Sequence, residues 1–529
     1  MKKFLALMLA LVMVAALAAC TNKPANNTTD PTEKPADNNG GELAGTYTIK
    51  VWCADNIVDL TKKQIDAYNS SNDQGIKFEY TVEPVGEGDA ATQMIVDVEA
   101  GGDIFCFAQD QFARLVQAGA LAKLGSQAAA TVKEGNDAGA VAAATMGSDM
   151  YAYPMTADNG YFMYYDKSVV GEGHLDSLED ILADCEAANK YFAMETNTSA
   201  WYIASFFFGA GCVSEWTTDS DGNFTAVNDT FNSDKGLIAA KGLKKLLSSS
   251  ANLSSSAADS FAQGAAVVVS GTWAYNDVKS ILGDNMGATD LPSFTVDGQA
   301  YHMGSFMGYK LMGVKPQQDA KKGAACHLLA QYLTGEQGQL ERFNEVAWGP
   351  SNLKALADPA VQANPAIAAV VAQGAYATPQ GQIHGAWWNI AKVIGDDVAA
   401  ATDDAGLQTA LDNYKAKIDA LFSNVAEEGS YVFVGAWNEW NNTDGNYVMK
   451  GEGNVLSITV DVAQSDYMGG RIVSANTWDT DLGFAQVTEG ADLLNADAAG
   501  GDNNIVFNEP GNYTVTVDLS AKTITIVKN

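Results

Sequence analysis

An alternating strand pattern, a helical stretch and a second alternating pattern follow one another early in the chain, and this order restricts the fold more than any other feature. The strand patterns are Tyr47–Trp52 and Ile76–Val82, with helical spacing of apolar residues over 57–69 between them. Two strands joined in this way are expected to lie parallel in one sheet. A further apolar strand, Ile104–Phe107, extends the prediction to an open α/β sheet, which binds ligands at the carboxyl ends of its strands.

A second lobe is predicted downstream. The chain becomes largely helical after Ser177, a plausible helix cap, and then contains the apolar strand pattern Ala265–Ser270. Two lobes with crossovers near Tyr151–Asp158 and Leu291–Leu311 explain this order, followed by a helical section that ends at Phe422.

The secondary-structure pattern of the sequence changes after Gly429. Short β patterns separated by Gly, Asn and Asp turns predict a separate all-β sandwich over residues 430–529, whose last two strands form a hairpin. The predicted strands are Tyr431–Val434, Val455–Val460, Arg471–Val473, Tyr513–Val517 and Thr523–Val527.

The N-terminus has the features of an export signal. Two lysines precede the apolar run Phe4–Ala19, which has the length of a signal peptide. The run leads into Cys20 and resembles the bacterial lipobox, which implies that residues 1–20 form a lipoprotein signal peptide with Cys20 lipidated; ordinary cleavage without lipid is the alternative. Residues 21–45, rich in Asn, Thr, Pro, Asp and Gly, are expected to be a disordered linker before a two-lobe domain at 46–425.

Charge and composition exclude several functions. The chain carries 64 acidic and 31 basic residues, a net charge of −33, so contact with nucleic-acid phosphates would be repulsive. The cysteines show no CxxC or Cys/His zinc spacing, so no metal site and no cofactor are predicted. Beyond Cys20, scattered buried thiols are expected, with one disulfide left open.

Sugar-binding sites combine polar groups that bond hydroxyls with aromatic rings that cover the C–H faces. The segment DIFCFAQDQF at 103–112 ends a predicted strand and brings Phe107 and Asp110 to the expected mouth of a cleft. Here the sequence resembles the maltose- and maltodextrin-binding proteins of ABC importers, in the family 1 extracellular solute-binding group, and the resemblance covers Thr46–Phe422. It implies a two-lobe periplasmic-binding-protein fold of the α/β class.

The resemblance also implies further ligand contacts. The segment YAYPMTAD at 151–158 is similar to the family's crossover and implies that Asp158 binds sugar. The segments GTWAY at 271–275 and GAWWN at 385–389 imply stacking roles for Trp273 and Trp387, and Trp201 falls near another stacking aromatic. Read without the resemblance, a tryptophan in such a protein is more often a core residue than a stacking platform. Phe107 would then be a core residue, and Asp110 and Asp158 would be solvated surface charges.

The last domain contains a second group of candidates. The segments VGAWNEW at 434–440, RIVSANTWD at 471–479 and DNNI at 502–505 resemble the starch-binding modules of surface glycan-binding lipoproteins. This similarity implies a carbohydrate-binding β-sandwich with two aromatics supported by a basic residue and an amide. The residues carried over are Trp440, Arg471, Trp478 and Asn503.

The sequence therefore predicts a monomeric lipoprotein, anchored outside the cytoplasm, that closes its lobes around maltodextrins for an ABC permease and binds starch with its last domain. Two alternatives stay open. The first is a surface starch tether without a transport role. The second is a glycoside hydrolase, which needs two carboxylates roughly 5–10 Å apart.

Overall fold

The strand, helix and strand predicted near the N-terminus form a parallel pair. In the computed structural model, Gly45–Cys53 pairs in parallel with Ile76–Pro84 and with Ile104–Ala108, and the helix Val58–Ser71 makes the first connection. The predicted open α/β sheet is confirmed. The structure describes residues 43–219, 222–438, 440–464, 468–475, 480, 482–496 and 503–529.

The sheet of the first lobe is completed by segments from much later in the chain. The strand Ser305–Val314 runs antiparallel to Ile104–Ala108 and to Ala152–Gly160, and parallel to Ala377–Pro379. We call this sheet and the helices packed on it lobe 1. Its helices are Ala90–Val96, Phe112–Gln117, Ser126–Gly135, Ala138–Ala143, Ala320–Leu333, Glu336–Val346 and Leu353–Leu356, together with Val58–Ser71.

A second sheet, in the order Asn252–Leu253, Tyr191–Ala193, Ala265–Ser270, Phe162–Asp166 and Met286–Thr289, forms the centre of what we call lobe 2. The predicted apolar strand Ala265–Ser270 is its middle strand and is buried throughout. The helices of lobe 2 are Leu178–Ala187, Ala200–Gly209, Asp234–Ser248, Tyr275–Leu282, Pro365–Gln373, Gly385–Ala391, Ile394–Ala400 and Asp404–Ser423. The short helix Pro359–Gln362 leads from lobe 1 to lobe 2.

Local sequence explains where several of these helices begin. The hydroxyl of Ser177 accepts a hydrogen bond from the Asp180 backbone at 3.2 Å, which confirms the predicted cap of Leu178–Ala187. Ser233 caps Asp234–Ser248 in the same way. Each cap satisfies one of the backbone donors that a helix leaves free at its N-terminus.

The first crossover lies slightly later than the sequence suggests, and the second lies where it was predicted. Ala152–Gly160 is a lobe 1 strand along its whole length, and the chain enters lobe 2 at Tyr161, because Phe162–Asp166 pairs in the second sheet. The return falls inside the predicted interval, between the hairpin that ends at His302 and the strand that begins at Ser305. In the described parts of the two lobes, three small two-stranded hairpins lie outside the central sheets: Thr145–Met146 with Asp149–Met150, Ser214–Thr218 with Phe224–Asp229, and Ser293–Val296 with Gln299–His302.

The C-terminal region, which we call the β-module, has two sheets around one core. The predicted sandwich is confirmed, because inward residues such as Phe433 and Ile472 of the first sheet pack with Val515 and Ile526 of the second. The first sheet contains Tyr431–Gly435, Gly469–Ser474 and Ile505–Val506. The second contains Lys450–Glu452, Val455–Val462, Gly511–Asp518, Thr523–Lys528 and Val487–Glu489, with the expected terminal hairpin.

Across the described residues, no helix is both long and apolar enough to cross a membrane. The five cysteines that the structure describes are unpaired, buried thiols, in agreement with the expectation of scattered thiols: Cys53, Cys106, Cys185, Cys212 and Cys326.

Candidate ligand-binding cleft

A cavity of about 480 Å³ lies between the two lobes. It opens at the carboxyl ends of parallel strands, as expected for an open α/β sheet. Ala54 follows the first strand of lobe 1, Asp110 follows the strand Ile104–Ala108, and Trp273 follows the central strand of lobe 2. The volume lies in the range of small-molecule binding sites.

Four tryptophans line this cleft, and each comes from a different element. Trp201 lies in the first turn of Ala200–Gly209, and Trp273 lies in the turn after Ala265–Ser270; their ring centroids are 5.8 Å apart. Trp348 follows the helix Glu336–Val346, and Trp388 lies on the helix Gly385–Ala391. The predicted cleft positions of Trp201 and Trp273 agree with this arrangement.

The turn that carries Trp273 needs glycine at position 271. A Cβ atom there would lie 2.1 Å from the Trp273 ring, which is closer than any real contact. The indole therefore lies directly over the Gly271 backbone, and the backbone fixes the orientation of the ring.

Asp158 holds the walls of the cleft in place and does not line it, which corrects its predicted role as a sugar contact. The residue is 2% exposed, and its carboxylate accepts hydrogen bonds from the Thr272 hydroxyl and the Gly349 backbone. These two partners are the neighbours of Trp273 and Trp348. The carboxylate thus connects the two turns that carry Trp273 and Trp348. Asp158 therefore sets the distance between these turns.

Asp110 lines the cleft, as predicted, and belongs to a directed hydrogen-bond network. Gln111 and Gln380 each donate to its carboxylate, the latter at 2.7 Å. The carbonyl oxygens of these two amides are occupied, because Arg114 donates to Gln111 at 3.0 Å and Asn159 donates to Gln380 at 3.0 Å. Burial raises the pKa of Asp110 from 3.8 to about 6, although the hydrogen bond from Gln111 and the charge of Arg114 act in the opposite direction.

Lys310 and Glu87 form a second polar group in the cleft. The ammonium of Lys310 lies 4.0 Å from the Glu87 carboxylate and 3.5 Å from the centre of the Trp348 ring, with Trp273 at 5.3 Å. A cation between two indoles is attracted to their faces. The side chains of Lys310 and Glu87 are only 7% and 13% exposed, so the pair lies in a largely desolvated part of the cleft.

Several polar atoms of the cleft lack a hydrogen-bond partner within the part of the chain that the structure describes. Among them are the indole nitrogens of Trp201 and Trp348 and one carboxylate oxygen of Glu87. Buried polar groups are normally paired, so these atoms are available to a ligand that offers both donors and acceptors. Hydroxyl groups have this property.

Two predicted contacts are core residues instead. Phe107 is fully buried and stacks on Phe112 within lobe 1, because its strand lies between two others and is covered on both faces. Trp387 is 1% exposed, and its indole nitrogen donates to Tyr414 at 2.8 Å. The neighbouring Trp388 takes the cleft position that was assigned to Trp387.

Sequence reasoning missed part of the cleft. Trp387 lies on the same helical face as the buried Ala391, four residues later. Helical periodicity could therefore have predicted that Trp388, and not Trp387, faces the ligand. For Glu87, Lys310 and Gln380 no local signal exists, since distant segments bring them together. Asn56 and Trp348 also line the cleft.

Of the residues predicted to bind starch, Trp440 and Arg471 contact lobe 1 and Asn503 bonds within the β-module. Trp440 is 3% exposed and packs against Ile95 of lobe 1, while Arg471 lies over its ring and donates to the Ile95 carbonyl at 3.4 Å. The amide of Asn503 bonds Ala485 and Gln486 inside the β-module. The prediction is therefore corrected for Trp440 and Arg471, whereas Trp478 lies outside the described residues.

The histidines have structural partners. His384 caps the helix Gly385–Ala391, and burial lowers its pKa to about 4. His327 bonds the Tyr153 hydroxyl, and burial lowers its pKa to about 4 as well. Within the described ranges, no group of three or more His, Cys, Asp or Glu side chains is arranged to hold a metal ion.

Comparison with known proteins places this geometry in context. The fold matches a protein solved with acarbose, with 26% identity, a TM-score of 0.62, and coverage of 71% of this chain and 100% of that chain. It also matches maltodextrin binding protein MalE1 from L. casei BL23, solved without ligand, with 23% identity, a TM-score of 0.61, and coverage of 71% and 99%. A cyclo/maltodextrin-binding protein complexed with maltotetraose matches with 22% identity, a TM-score of 0.55, and coverage of 70% and 97%.

The two-lobe periplasmic-binding-protein fold expected from the sequence is therefore confirmed. No curated protein matches the sequence. Residues 63–369, more than half of the chain, match the family described as bacterial extracellular solute-binding protein. The chain belongs to the bacterial extracellular solute-binding protein family.

Proposed function

We propose that this protein captures α-linked glucose oligosaccharides of the maltodextrin type outside the cell and delivers them to an ABC importer, without catalysing a reaction. The observation that carries the proposal is the cleft between the lobes, where four tryptophans alternate with Asp110, Glu87, Lys310 and the amides of Asn159 and Gln380. Indole faces cover the apolar faces of sugar rings, and the polar groups bond the hydroxyls at their edges.

The composition of the cleft favours an uncharged ligand. Lys310 is compensated by Glu87, and Asp110 adds a further carboxylate, so an anionic sugar would meet net negative charge. A neutral oligosaccharide avoids this repulsion and still supplies donors and acceptors to the unpaired groups of Glu87 and Trp348. Proteins of the same fold have been solved with acarbose and with maltotetraose, which supports this ligand class.

Attachment to the membrane is part of the proposal. A lipid on Cys20, followed by the spacer at 21–45, would keep the two lobes beside a permease in the same membrane. We assign capture to the cleft alone, because Trp440 and Arg471 of the β-module face lobe 1. Starch binding by the module would therefore need other residues, among them Trp478.

Calorimetric titration of the purified protein with maltotriose, maltoheptaose and cellotriose tests the proposal. We expect both maltodextrins to bind the wild type, and we expect Trp388→Ala to lose this binding. Tyr191→Ala, which removes a 39% exposed aromatic outside the cleft, is the matched control and should bind like the wild type. Absence of maltodextrin binding to the wild type would refute the ligand class, and release of glucose or maltose from maltoheptaose would refute the absence of catalysis.

A further inference from the structure

The β-module is connected to one lobe and docked on the other. The helix Asp404–Ser423 packs into the core of lobe 2 through Leu411 and Ile418, and the first strand of the module, Tyr431–Gly435, follows shortly after the helix ends. The module is therefore attached covalently to lobe 2. Its first sheet packs on lobe 1.

The docking contacts on lobe 1 are centred on the end of one helix. Trp440 packs with Ile95 in an apolar cluster that also contains Val434 and Val473 of the module. Arg471 donates to the Ile95 carbonyl at 3.4 Å. The amide of Asn504 donates to the Val96 carbonyl at 3.1 Å. The module thus supplies partners, one of them cationic, for carbonyls that a helix leaves free at its C-terminus.

This helix, Ala90–Val96, lies directly behind the cleft. Glu87 and Gly88, which line the cavity, immediately precede it, and the backbone of Asp89 closes a turn onto the Gly86 carbonyl at 3.0 Å. A shift of the helix therefore moves Glu87 relative to Lys310. The apolar docking of Trp440 on Ile95 restrains this shift.

The module also touches the opposite wall of the cleft. The amide nitrogen of Asn441 lies 3.3 Å from Nε2 of His384 in lobe 2. The other ring nitrogen of His384 accepts a hydrogen bond from the Ala386 backbone at 3.2 Å and so caps the helix that carries Trp388. Because Nδ1 accepts, Nε2 of the neutral imidazole carries the proton and cannot accept from the Asn441 amide, so the module meets this helix cap by packing and not by a hydrogen bond.

A third connection leads to Asp110. The amide of Gln117 in lobe 1 donates to Asn442 of the module at 3.2 Å and to Asn223 of lobe 2 at 2.8 Å. Arg114, on the same short helix as Gln117, donates to Gln111, which in turn donates to Asp110. Residues of both lobes and of the module meet here around a cavity of about 30 Å³.

We propose that the β-module is a positioning element of the ligand cleft, in which Trp440 and Asn504 hold the helix that follows Glu87 and module docking is coupled to ligand binding. The inference rests on the proposed function, because it concerns the same cleft. When the lobes move about their crossovers, a body attached to lobe 2 and docked on lobe 1 must change its contacts. Ligand and docking therefore influence each other to the same extent.

The test compares full-length variants by calorimetry with maltoheptaose. Trp440→Ala removes the apolar dock, and Asn504→Ala removes only the bond to the Val96 carbonyl. We expect the dissociation constant to rise about tenfold in Trp440→Ala, a typical coupling between sites, and less in Asn504→Ala. Trp440→Phe should restore most of the affinity. Asn508→Ala is the matched control, since it removes a similar amide bond, to the Asp492 carbonyl at 3.2 Å, inside the module.

Hydrogen exchange provides a readout that a merely structural role would not change. We expect saturating maltoheptaose to slow exchange in the wild type at Ile95–Val96 and at Trp440, and to have no such effect at residues 513–517. If Trp440→Ala and Asn504→Ala bind maltoheptaose with the same affinity as the wild type, the positioning role is refuted. Wild-type protein that binds no maltodextrin overturns the proposed function instead. If Trp440→Ala unfolds the module, Asn504→Ala decides the outcome.

Discussion

Asp110 should make the stability of the protein depend on pH in a defined window. Burial raises its pKa from 3.8 to about 6, whereas in the unfolded chain an aspartate titrates near 3.9, an approximate reference value. Between about pH 4 and pH 6, the folded protein therefore holds a proton that the unfolded chain has released. The free energy of unfolding falls as the pH rises through this window, and the difference between the two pKa values corresponds to about 3 kcal/mol.

The substitution Asp110→Asn removes this titration. The new side chain keeps one acceptor oxygen and faces two amide donors, Gln111 and Gln380, whose own carbonyls are held by Arg114 and Asn159. Neither glutamine can rotate without losing a bond, so the variant carries a cost of about 1–3 kcal/mol that does not depend on pH. At pH 7 this cost opposes the gain from removing a buried charge.

The informative quantity is the difference in unfolding free energy between wild type and variant, measured by urea denaturation with tryptophan fluorescence at intervals from pH 4 to pH 7. Because all other titrating groups are shared, the wild type should lose about 3 kcal/mol relative to Asp110→Asn over this range. Asp59→Asn, the same substitution at a side chain that is 85% exposed, serves as the control for the chemical change itself. A difference that stays constant with pH would refute the reasoning.

Three further predictions concern the walls of the cleft. Trp387→Ala should lose about 3–5 kcal/mol of stability because it empties a core position, whereas Trp388→Ala should lose ligand affinity and little stability; equal denaturation midpoints for the two variants would contradict the assignment. Lys310→Met should weaken maltotriose binding about tenfold in calorimetry, because it leaves the charge of Glu87 uncompensated. It also removes a cation–π interaction with the two indoles that contributes about 0.5–2 kcal/mol. Unchanged affinity would contradict a role of Lys310 in binding. Asp158→Ala should destabilise the protein by about 2–5 kcal/mol in denaturation, because two buried donors lose their acceptor, and it should also weaken glycan binding; wild-type stability would contradict this.

Much of the fold was predictable from the sequence because the signals are local. Ala265–Ser270 is a strand with the predicted bounds, and the strand pattern at Tyr47–Trp52 extends by only a few residues to Gly45–Cys53. Apolar alternation within a strand and a serine before a helix act over distances of a few residues. The parallel pairing of the first two strands follows from the helix between them.

The cleft was predictable only in part, since one of two adjacent tryptophans can be buried in the core while the other lines the cleft. Trp387 and Trp388 are neighbours in the same motif, yet the first bonds Tyr414 in the core and the second lines the cavity. Helical geometry separates two consecutive side chains by about 100°. Which of them faces the ligand depends on where the helix Gly385–Ala391 packs, and that depends on the whole of lobe 2.

By itself, the sequence determined the order of strands and helices, the two-lobe α/β class, the sandwich at the end and the position of Asp110 after a lobe 1 strand. Only the tertiary structure brought Lys310 to Glu87 and Trp348, and only it buried Trp440 against Ile95. The physical reason is the distance along the chain over which each interaction acts. Backbone propensity and hydrophobic periodicity act within one element, whereas the surroundings of a side chain are set by segments hundreds of residues apart, whose contacts exist only after the lobes and the module have packed together.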